Sequence, residues 1–585
     1  MILIVILYIV SFGLSLLNSG AYWDDWAVIV NKDPELIKST CDSFGQILAP
    51  YIFNSINIFH SFTAYRIVTF LVYLFSGYFF YSILSTIKEI DSKKRLLLTI
   101  FFLLFPANDA RVVLVILWYS VCYFFFYFGW WLTTLYLINK KVIFRLLALV
   151  TLILSFSINS MLFFYILILA YIAFKQKNQL KSRKDVCRLI INHIDFILLP
   201  VFFFLYKQYF FPLPEINKGY NEITAFNLLT AFYRSVEGYG FSFLIVLLSS
   251  FYSLFNMSLI TTVWQAGIKL ELHPYVSPLT FKNIFDLLKE TIFITSATLF
   301  QKNLISNLLI IASGITAIFI SLRHTLQTKD IKKKHYSKDT ILFILGCISF
   351  YVAVFPYYVV NKIPTILEGF SDRHLLLTPL GASFMIVYGI QIIGNFLRVR
   401  INIIIAIYSI LIAMFVSYHL KINVEFLKDQ YKQMSVIEQM KRNQELKNNT
   451  TFLFIDNTIH LNAKHKPYAF YEYTGFMKKA FGDEKRFGSS IDEFKTYNQT
   501  INESREKQLS FPKNNGFLNT FNKLNNMQEY IVKNPEFIIE INVGSYELSD
   551  LNLFYLIYFK HFDKESFTKA VNNIIKLSTS SITQK

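Results

Sequence analysis

The membrane character of the chain is clearest in residues 67–87, which read IVTFLVYLFSGYFFYSILSTI. This run contains no charged side chain, and about 20 apolar residues are enough for a helix to cross the hydrocarbon core of a bilayer. The residues that follow, 88–95, read KEIDSKKR. Because short loops rich in Lys and Arg remain on the cytoplasmic side, this segment predicts a membrane-spanning helix that ends at the cytoplasm.

The same alternation of apolar runs and basic loops continues through much of the 585-residue chain, which is 54% hydrophobic and has a net charge of +18. The Lys and Arg residues concentrate in loops at 88–95, 140–145, 175–188 and 323–338. This distribution argues against a nucleic-acid partner, because basic residues in such loops set membrane orientation. The four Cys residues are scattered and predict no disulfide framework.

The pattern predicts about eleven membrane-spanning helices, or about thirteen if 241–263 and 279–300 both cross instead of both lying in the outer interface. Residues 1–19 are interpreted as an uncleaved first span, because no basic segment precedes them. Residues 143–175 are interrupted at 157–160, which favours two short helices. Either odd number of spans places the N-terminus in the cytoplasm and the C-terminal part outside it.

The composition changes near residue 420, which predicts two domains: a transmembrane domain over 1–420 and a soluble extracytoplasmic domain over 421–585. In the second domain, 423–449 has the pattern of an amphipathic helix. Residues 451–455, 537–543 and 551–559 have the composition of strands. The predicted fold class is therefore an α-helical polytopic membrane protein with a small C-terminal α/β domain.

Charged residues that suggest chemistry fall in three loops, which the predicted orientation places together outside the cytoplasm. They are Asp24 and Asp25 in the run AYWDDW (21–26), Asp109 and Arg111 after the third apolar run, and Lys362, Glu368, Asp372, Arg373 and His374 before a late span. A carboxylate can act as a general base towards an acceptor hydroxyl. Arg and Lys can bind a phosphate leaving group.

Each of these residues also has a structural interpretation. Trp23 and Trp26 are typical of an interfacial belt around an ordinary loop. Asp109 and Arg111 are close enough in sequence to form a loop ion pair. Asp372 precedes a late span and is a suitable N-cap, and a single His such as His374 is most often structural.

The layout resembles the GT-C superfamily of polytopic glycosyltransferases, which includes protein mannosyltransferases and the aminoarabinose transferases of bacterial lipid A. The resemblance spans about residues 1–420 and depends on three short motifs: the acidic pair, Asp109 and the segment SDRHLLLTP at 371–379. It implies that Asp24 or Asp25 is the catalytic base and that Asp109 occupies the second acidic position. His374 stands where Tyr is commoner in the family.

We therefore expect a membrane glycosyltransferase that moves a hexose or pentose from a polyprenyl-phosphate donor to an envelope glycan, lipid or protein, in the inner (plasma) membrane of a bacterium. Residues expected to bind the donor phosphate are Arg373, Arg111, His374 and Lys362. If a divalent cation such as Mg²⁺ or Mn²⁺ takes part, Asp25 and Asp109 are its expected ligands.

Two alternative functions remain at this stage. A glycan ligase or polymerase would use Arg and His residues in a large late loop, and residues 361–374 form only a short one. A transporter or flippase of lipid-linked glycans would carry charges within its spans. The predicted spans are nearly free of charge.

Overall fold

The structure is a computed structural model of the chain. It describes residues 1–30, 34–43, 45–177, 182–212, 225–254, 304–326, 336–366, 371–449, 451–482, 486–494, 535 and 537–582.

Helices form most of the first 442 residues. The α-helices in this part are Ile2–Phe12, Asp25–Val28, Pro34–Ser43, Ala49–Asn57, Phe62–Ser85, Ser92–Leu104, Leu117–Asn139, Val142–Ser155, Asn159–Phe164, Ile166–Lys175, Arg183–Asn192, Ile194–Phe210, Ala225–Leu254, Leu304–Leu326, Tyr336–Val359, Thr378–Phe396 and Ile401–Arg442. Short 3₁₀ helices lie between them at Gly13–Leu17, Asp109–Val112, Leu114–Ile116 and Ser371–Leu375. The predicted interruption at 157–160 is present, because one helix ends at Ser155 and the next begins at Asn159.

Among the described residues, five helices are long and apolar enough to cross a membrane, or up to seven if each of two bent helix pairs is one span. The five are Phe62–Ser85, Leu114–Asn139, Ser337–Val359, Thr378–Phe396 and Ile401–Arg442. This is fewer than the eleven to thirteen expected. One reason is length: Ser92–Leu104 has only 13 residues, and a helix that short does not cover the hydrocarbon core. The predicted segment 279–300 lies outside the described residues.

The helix Ile401–Arg442, called the long helix below, runs for 42 residues through the predicted domain boundary at 420. The apolar run at 401–419 and the first part of the amphipathic helix expected at 423–449 are thus continuous. The sequence contains neither Gly nor Pro between 401 and 442, so nothing interrupts the backbone hydrogen bonds. Its second half is buried in a separate hydrophobic core that includes Leu427, Tyr431 and Met440.

That second core belongs to a four-stranded sheet with the order β2-β1-β3-β4. The strands are β1 (Thr451–Asp456), β2 (Phe487–Ser490), β3 (Phe537–Val543) and β4 (Ile575–Ser581). β1 pairs in parallel with β2 and β3, and β3 pairs antiparallel with β4. Among the described residues, the C-terminal region also contains the helices Gln444–Asn448, Phe470–Phe481, Asp550–Phe562 and Lys564–Asn572.

The strands expected at 451–455 and 537–543 are confirmed, but the strand expected at 551–559 is wrong. This segment belongs to the helix Asp550–Phe562. The Ser549 side chain accepts a hydrogen bond from the backbone N–H of Asn552, and Asp550 lies in the first turn. Both features stabilise a helix N-terminus, and the apolar spacing that buries Leu553 and Leu556 is helical.

Candidate functional site

Asp25 ties the acidic pair to the loop that follows the helix Ser92–Leu104. Its carboxylate is fully buried. Oδ2 accepts hydrogen bonds from the backbone N–H groups of Tyr22 and Leu114, both at 3.0 Å, and Oδ1 accepts one from Val115 at 2.8 Å. Burial raises the pKa of Asp25 to about 7, although the three N–H donors act in the opposite direction. Asp25 is therefore held as an anchor between two loops.

Asp24 is in a different situation, because its side chain is partly exposed. The hydroxyl of Tyr471 donates a hydrogen bond to Asp24 Oδ1 at 3.1 Å. Asp25 and Asp109, the other two predicted catalytic acids, are both buried. Of these three carboxylates, Asp24 is the one that another molecule can reach without rearrangement of the loops.

The helix Phe470–Phe481, called the docking helix below, packs against the acidic pair. Glu472 Oε1 accepts a hydrogen bond from the backbone N–H of Trp23 at 3.1 Å, and burial raises the pKa of Glu472 to about 8. The rings of Trp26 and Phe476 meet edge to face at 4.8 Å. A Cβ added at Gly475 would lie 2.6 Å from a ring carbon of Trp26, so this close approach requires glycine.

A buried ion triad joins the second and third loops to the C-terminal region. Lys464 Nζ lies 2.9 Å from Asp109 Oδ2 and 2.6 Å from Asp372 Oδ2, and all three side chains are at most 1% exposed. Asp372 also accepts hydrogen bonds from the backbone N–H groups of Asp109 and Ala110. Tyr418 on the long helix donates a hydrogen bond to Asp109.

The two acids of the triad titrate differently. Burial and the nearby charge of Asp109 raise the pKa of Asp372 to about 6, against the effect of Lys464. Burial is the largest effect on the pKa of Asp109 and acts to raise it, but the charge of Lys464 and the hydrogen bonds from Tyr418 and Lys464 together hold that pKa below its usual value. The paired carboxylates in turn raise the pKa of Lys464, although its burial acts to lower it. Lys464 is therefore a permanent cation at neutral pH.

The triad bears on the expected metal site. The Lys464 ammonium occupies the position between Asp109 and Asp372 where a cation would bind, and both oxygens of Asp25 already accept backbone hydrogen bonds. Among the residues that the structure describes, no three His, Cys, Asp or Glu side chains gather as metal ligands. Both oxygens of Asp25 and Oδ2 of Asp109 therefore already have protein partners, whereas Oδ1 of Asp109 has no hydrogen-bond partner among the described residues. The Mg²⁺ or Mn²⁺ site stays a prediction.

Lys362, Arg373 and His374, three of the predicted phosphate-binding residues, line one pocket, which we call the basic pocket. Its empty volume is about 840 Å³, including open solvent at its mouth. Lys207 and Asn159 line the same pocket, and Lys207 Nζ donates a hydrogen bond to Asn159 Oδ1 at 2.8 Å. The pocket thus receives cationic side chains from two separate parts of the chain.

His374 is a buried wall of the basic pocket. It is 5% exposed and its ring lies 4.5 Å from that of Tyr357, centroid to centroid. Burial, together with the charges of Arg373 and Lys362, holds the pKa of His374 well below its usual value, so the imidazole is neutral. Its buried Nδ1 has no hydrogen-bond partner among the described residues, which suits a ligand that completes the bonding.

Arg111, the fourth residue predicted to bind the donor phosphate, lies elsewhere. Its guanidinium carbon is 3.5 Å from the centroid of the Phe12 ring, and its Nη2 is 3.2 Å from His419 Nδ1. It lines a smaller cavity, with an empty volume of about 310 Å³, beside Arg66. Arg111 and Arg373 therefore line different cavities. Glu368 lies outside the described residues.

Two of the buried carboxylates, Asp372 and Asp25, are linked to the basic pocket through neighbouring residues of the chain. Asp372 directly precedes Arg373 and His374. Val115, which donates to Asp25, lies one turn before Trp118 in the pocket wall. Sequence reasoning missed Lys464, Tyr471 and Lys207. The first two lie in the C-terminal region more than 350 residues from Asp109 and Asp24, and no local spacing marks them as partners.

Comparisons of the chain with models of known protein families, with curated proteins and with solved structures find no match.

Proposed function

We propose that the protein is a membrane glycosyltransferase that moves a sugar from a polyprenyl-phosphate donor to a hydroxyl of an envelope glycan, lipid or protein. The observation that supports this proposal best is the meeting of three loops, far apart in sequence, at one end of the helical bundle. They carry a partly exposed carboxylate, Asp24, and two cationic side chains of the basic pocket, Lys362 and Arg373. Such a transfer requires a carboxylate that acts as a base and side chains that bind the phosphate.

In the proposed reaction, Asp24 accepts the proton of the acceptor hydroxyl. The hydroxyl oxygen forms a bond to the anomeric carbon of the donor sugar, and the bond from that carbon to the phosphate oxygen breaks. The polyprenyl phosphate leaves with the electron pair of that bond, and Arg373 and Lys362 stabilise its added negative charge. Attack opposite to the leaving group inverts the anomeric carbon.

The remaining residues have supporting roles in this proposal. Neutral His374 offers a hydrogen-bonding nitrogen to a phosphate oxygen without adding charge. Tyr471 orients Asp24 through their 3.1 Å hydrogen bond. Asp25, Asp109 and Asp372 are positioning residues, because their oxygens bind backbone N–H groups or Lys464 and hold the loops in place.

The test compares the envelope glycans of cells whose own gene is replaced by variants. Asp24→Asn should abolish the modification, because an amide cannot accept the proton. Asp42→Asn, an exposed acid in the same loop, is the matched control and should leave it intact. Both proteins must reach wild-type levels in the membrane. Unchanged glycans in cells that carry Asp24→Asn would exclude Asp24 as the base, and unchanged glycans in cells without the gene would exclude the reaction.

A further inference from the structure

The helix Asp550–Phe562 carries an exposed apolar stripe, and we call it the stripe helix. The stripe consists of Leu551 (65% exposed), Phe554 (51%), Tyr555 (50%), Tyr558 (56%) and Phe562 (75%). The spacing i, i+3, i+4, i+7, i+11 places these residues on one face. Leu553 and Leu556 are fully buried in the C-terminal core. Single exposed apolar residues are ordinary, but a contiguous stripe marks an interaction surface.

The stripe helix contacts the end of the first apolar helix. Lys560 Nζ donates a hydrogen bond to Ser19 Oγ at 3.3 Å. The side chain of Gln430 on the long helix binds Ser19 as well, at 3.0 and 2.9 Å. Ser19 lies two residues beyond Leu17, where the apolar segment Ile2–Leu17 ends. The stripe helix therefore lies at the level where the chain leaves the apolar bundle.

The exposed face of that first segment is apolar too. Ile2, Ile6, Ile9, Val10 and Leu17 are each at least 40% exposed, as expected for side chains that face lipid. The stripe on the C-terminal region thus extends the exposed apolar surface of the helical bundle. Two Tyr and two Phe side chains dominate it, and aromatic residues are enriched where a protein meets the headgroup region of a bilayer.

We propose that the stripe helix lies in the headgroup region of the membrane leaflet next to Ser19 and anchors the C-terminal region to the lipid. Its aromatic rings enter the boundary between headgroups and acyl chains, as in other interfacial amphipathic helices. Lys560 and His561 in its last turn remain among the lipid phosphates. The proposal does not depend on the reaction proposed above, because it concerns a surface away from the basic pocket.

The test uses the full chain in lipid nanodiscs with an environment-sensitive fluorophore on one introduced cysteine. Cys187→Ser and Cys347→Ser remove the two cysteines that are not buried. Phe554→Cys and Tyr558→Cys then place the label on the stripe, and Lys569→Cys, an exposed position on the neighbouring helix Lys564–Asn572, is the control. These positions are on the surface, so each variant is expected to fold.

We expect the labels at 554 and 558 to emit at shorter wavelength than the label at 569, and to lose about half of their intensity when the lipids carry bromine near the headgroup. Emission and quenching equal to those at position 569 would overturn the proposal. A blue shift that brominated lipid does not quench, and that disappears when each nanodisc holds one protein, would also overturn it and would assign the stripe to a second copy of the chain.

Discussion

The substitution Lys464→Met tests how the C-terminal region holds the loops that contain Asp109 and Asp372. Met has a similar length but no charge, so the variant leaves Asp109 and Asp372 buried without the cation that now lies 2.9 and 2.6 Å from them. Removal of one partner from a buried ion pair costs about 3–5 kcal/mol. We expect the loss at the upper end of that range, because one lysine serves two carboxylates.

Hydrogen exchange measured by mass spectrometry shows which backbone N–H groups lose protection in the variant. The backbone N–H groups of Asp109 and Ala110 donate to Asp372. They should exchange roughly three to three and a half orders of magnitude faster in the variant, since each ~1.4 kcal/mol of the expected loss is a factor of ten. Lys432→Met is the matched control, because Lys432 is also fully buried and pairs with Asp456 at 2.6 Å inside the C-terminal region. Its effect should be confined to residues near 451–462.

A second variant separates lost charge pairing from lost packing. In the Lys464→Met background, Asp372→Asn removes one uncompensated charge and should restore part of the protection at Asp109 and Ala110, a coupling that a double-mutant cycle measures. The reasoning is refuted if Lys464→Met leaves exchange at 109–116 and 371–375 unchanged. It is also refuted if Lys432→Met accelerates exchange there to the same extent.

Three further predictions concern the acidic pair, the docking helix and the basic pocket. Asp25→Asn should lower stability by about 1–3 kcal/mol, because the amide nitrogen cannot accept one of the three backbone N–H bonds, and thermal unfolding should show a loss that Asp42→Asn does not. Glu472 has a pKa raised to about 8, so the folded state keeps a proton that the unfolded state releases. The proton on Glu472 should therefore make stability fall by about 1.4 kcal/mol per unit as pH rises from about 4.5 to about 8. Glu472→Gln should remove this contribution from the plot of melting temperature against pH and leave those of Asp25 and Asp372. Lys207→Met should raise the KM for the lipid-linked donor about tenfold or more with a smaller change in kcat, if the pocket binds donor phosphate; an unchanged KM would remove Lys207 from the donor site.

The sequence predicted a mainly helical chain with apolar helices of membrane length, because uninterrupted apolar runs and helix-breaking residues act locally, but it predicted more spans than the described residues show. It failed where an apolar run is compatible with both a strand and a helix. Residues 551–559 are rich in aromatic side chains, which favoured a strand, whereas the Ser549 cap and the burial of Leu553 and Leu556 settle the segment as a helix. Three of the four aromatic residues that misled the prediction, Phe554, Tyr555 and Tyr558, belong to the exposed stripe.

In the candidate site, too, the sequence identified residues that have a local signal and missed those whose role depends on contacts distant in sequence. The resemblance and the loop positions singled out Asp24, Asp109 and Arg373 by their place beside apolar runs. Lys464 carries no such signal, because its role depends on contacts with residues 92 and 355 positions away. A lysine in a polar loop with left-handed backbone geometry (φ 53°) looks ordinary until the fold places it between two carboxylates.

The unbroken long helix couples the distance of the C-terminal region from the apolar bundle to its rotation about the helix axis. Its 42 residues measure roughly 63 Å at a rise of 1.5 Å per residue, about twice the hydrocarbon thickness of a membrane. One residue inserted near its middle would lift everything beyond it by about 1.5 Å and turn it by about 100°, which would swing Lys464 away from its loops. Seven inserted residues, close to two full turns, would nearly restore the angle but not the distance. The long helix therefore sets the rotation and the distance of the C-terminal region together.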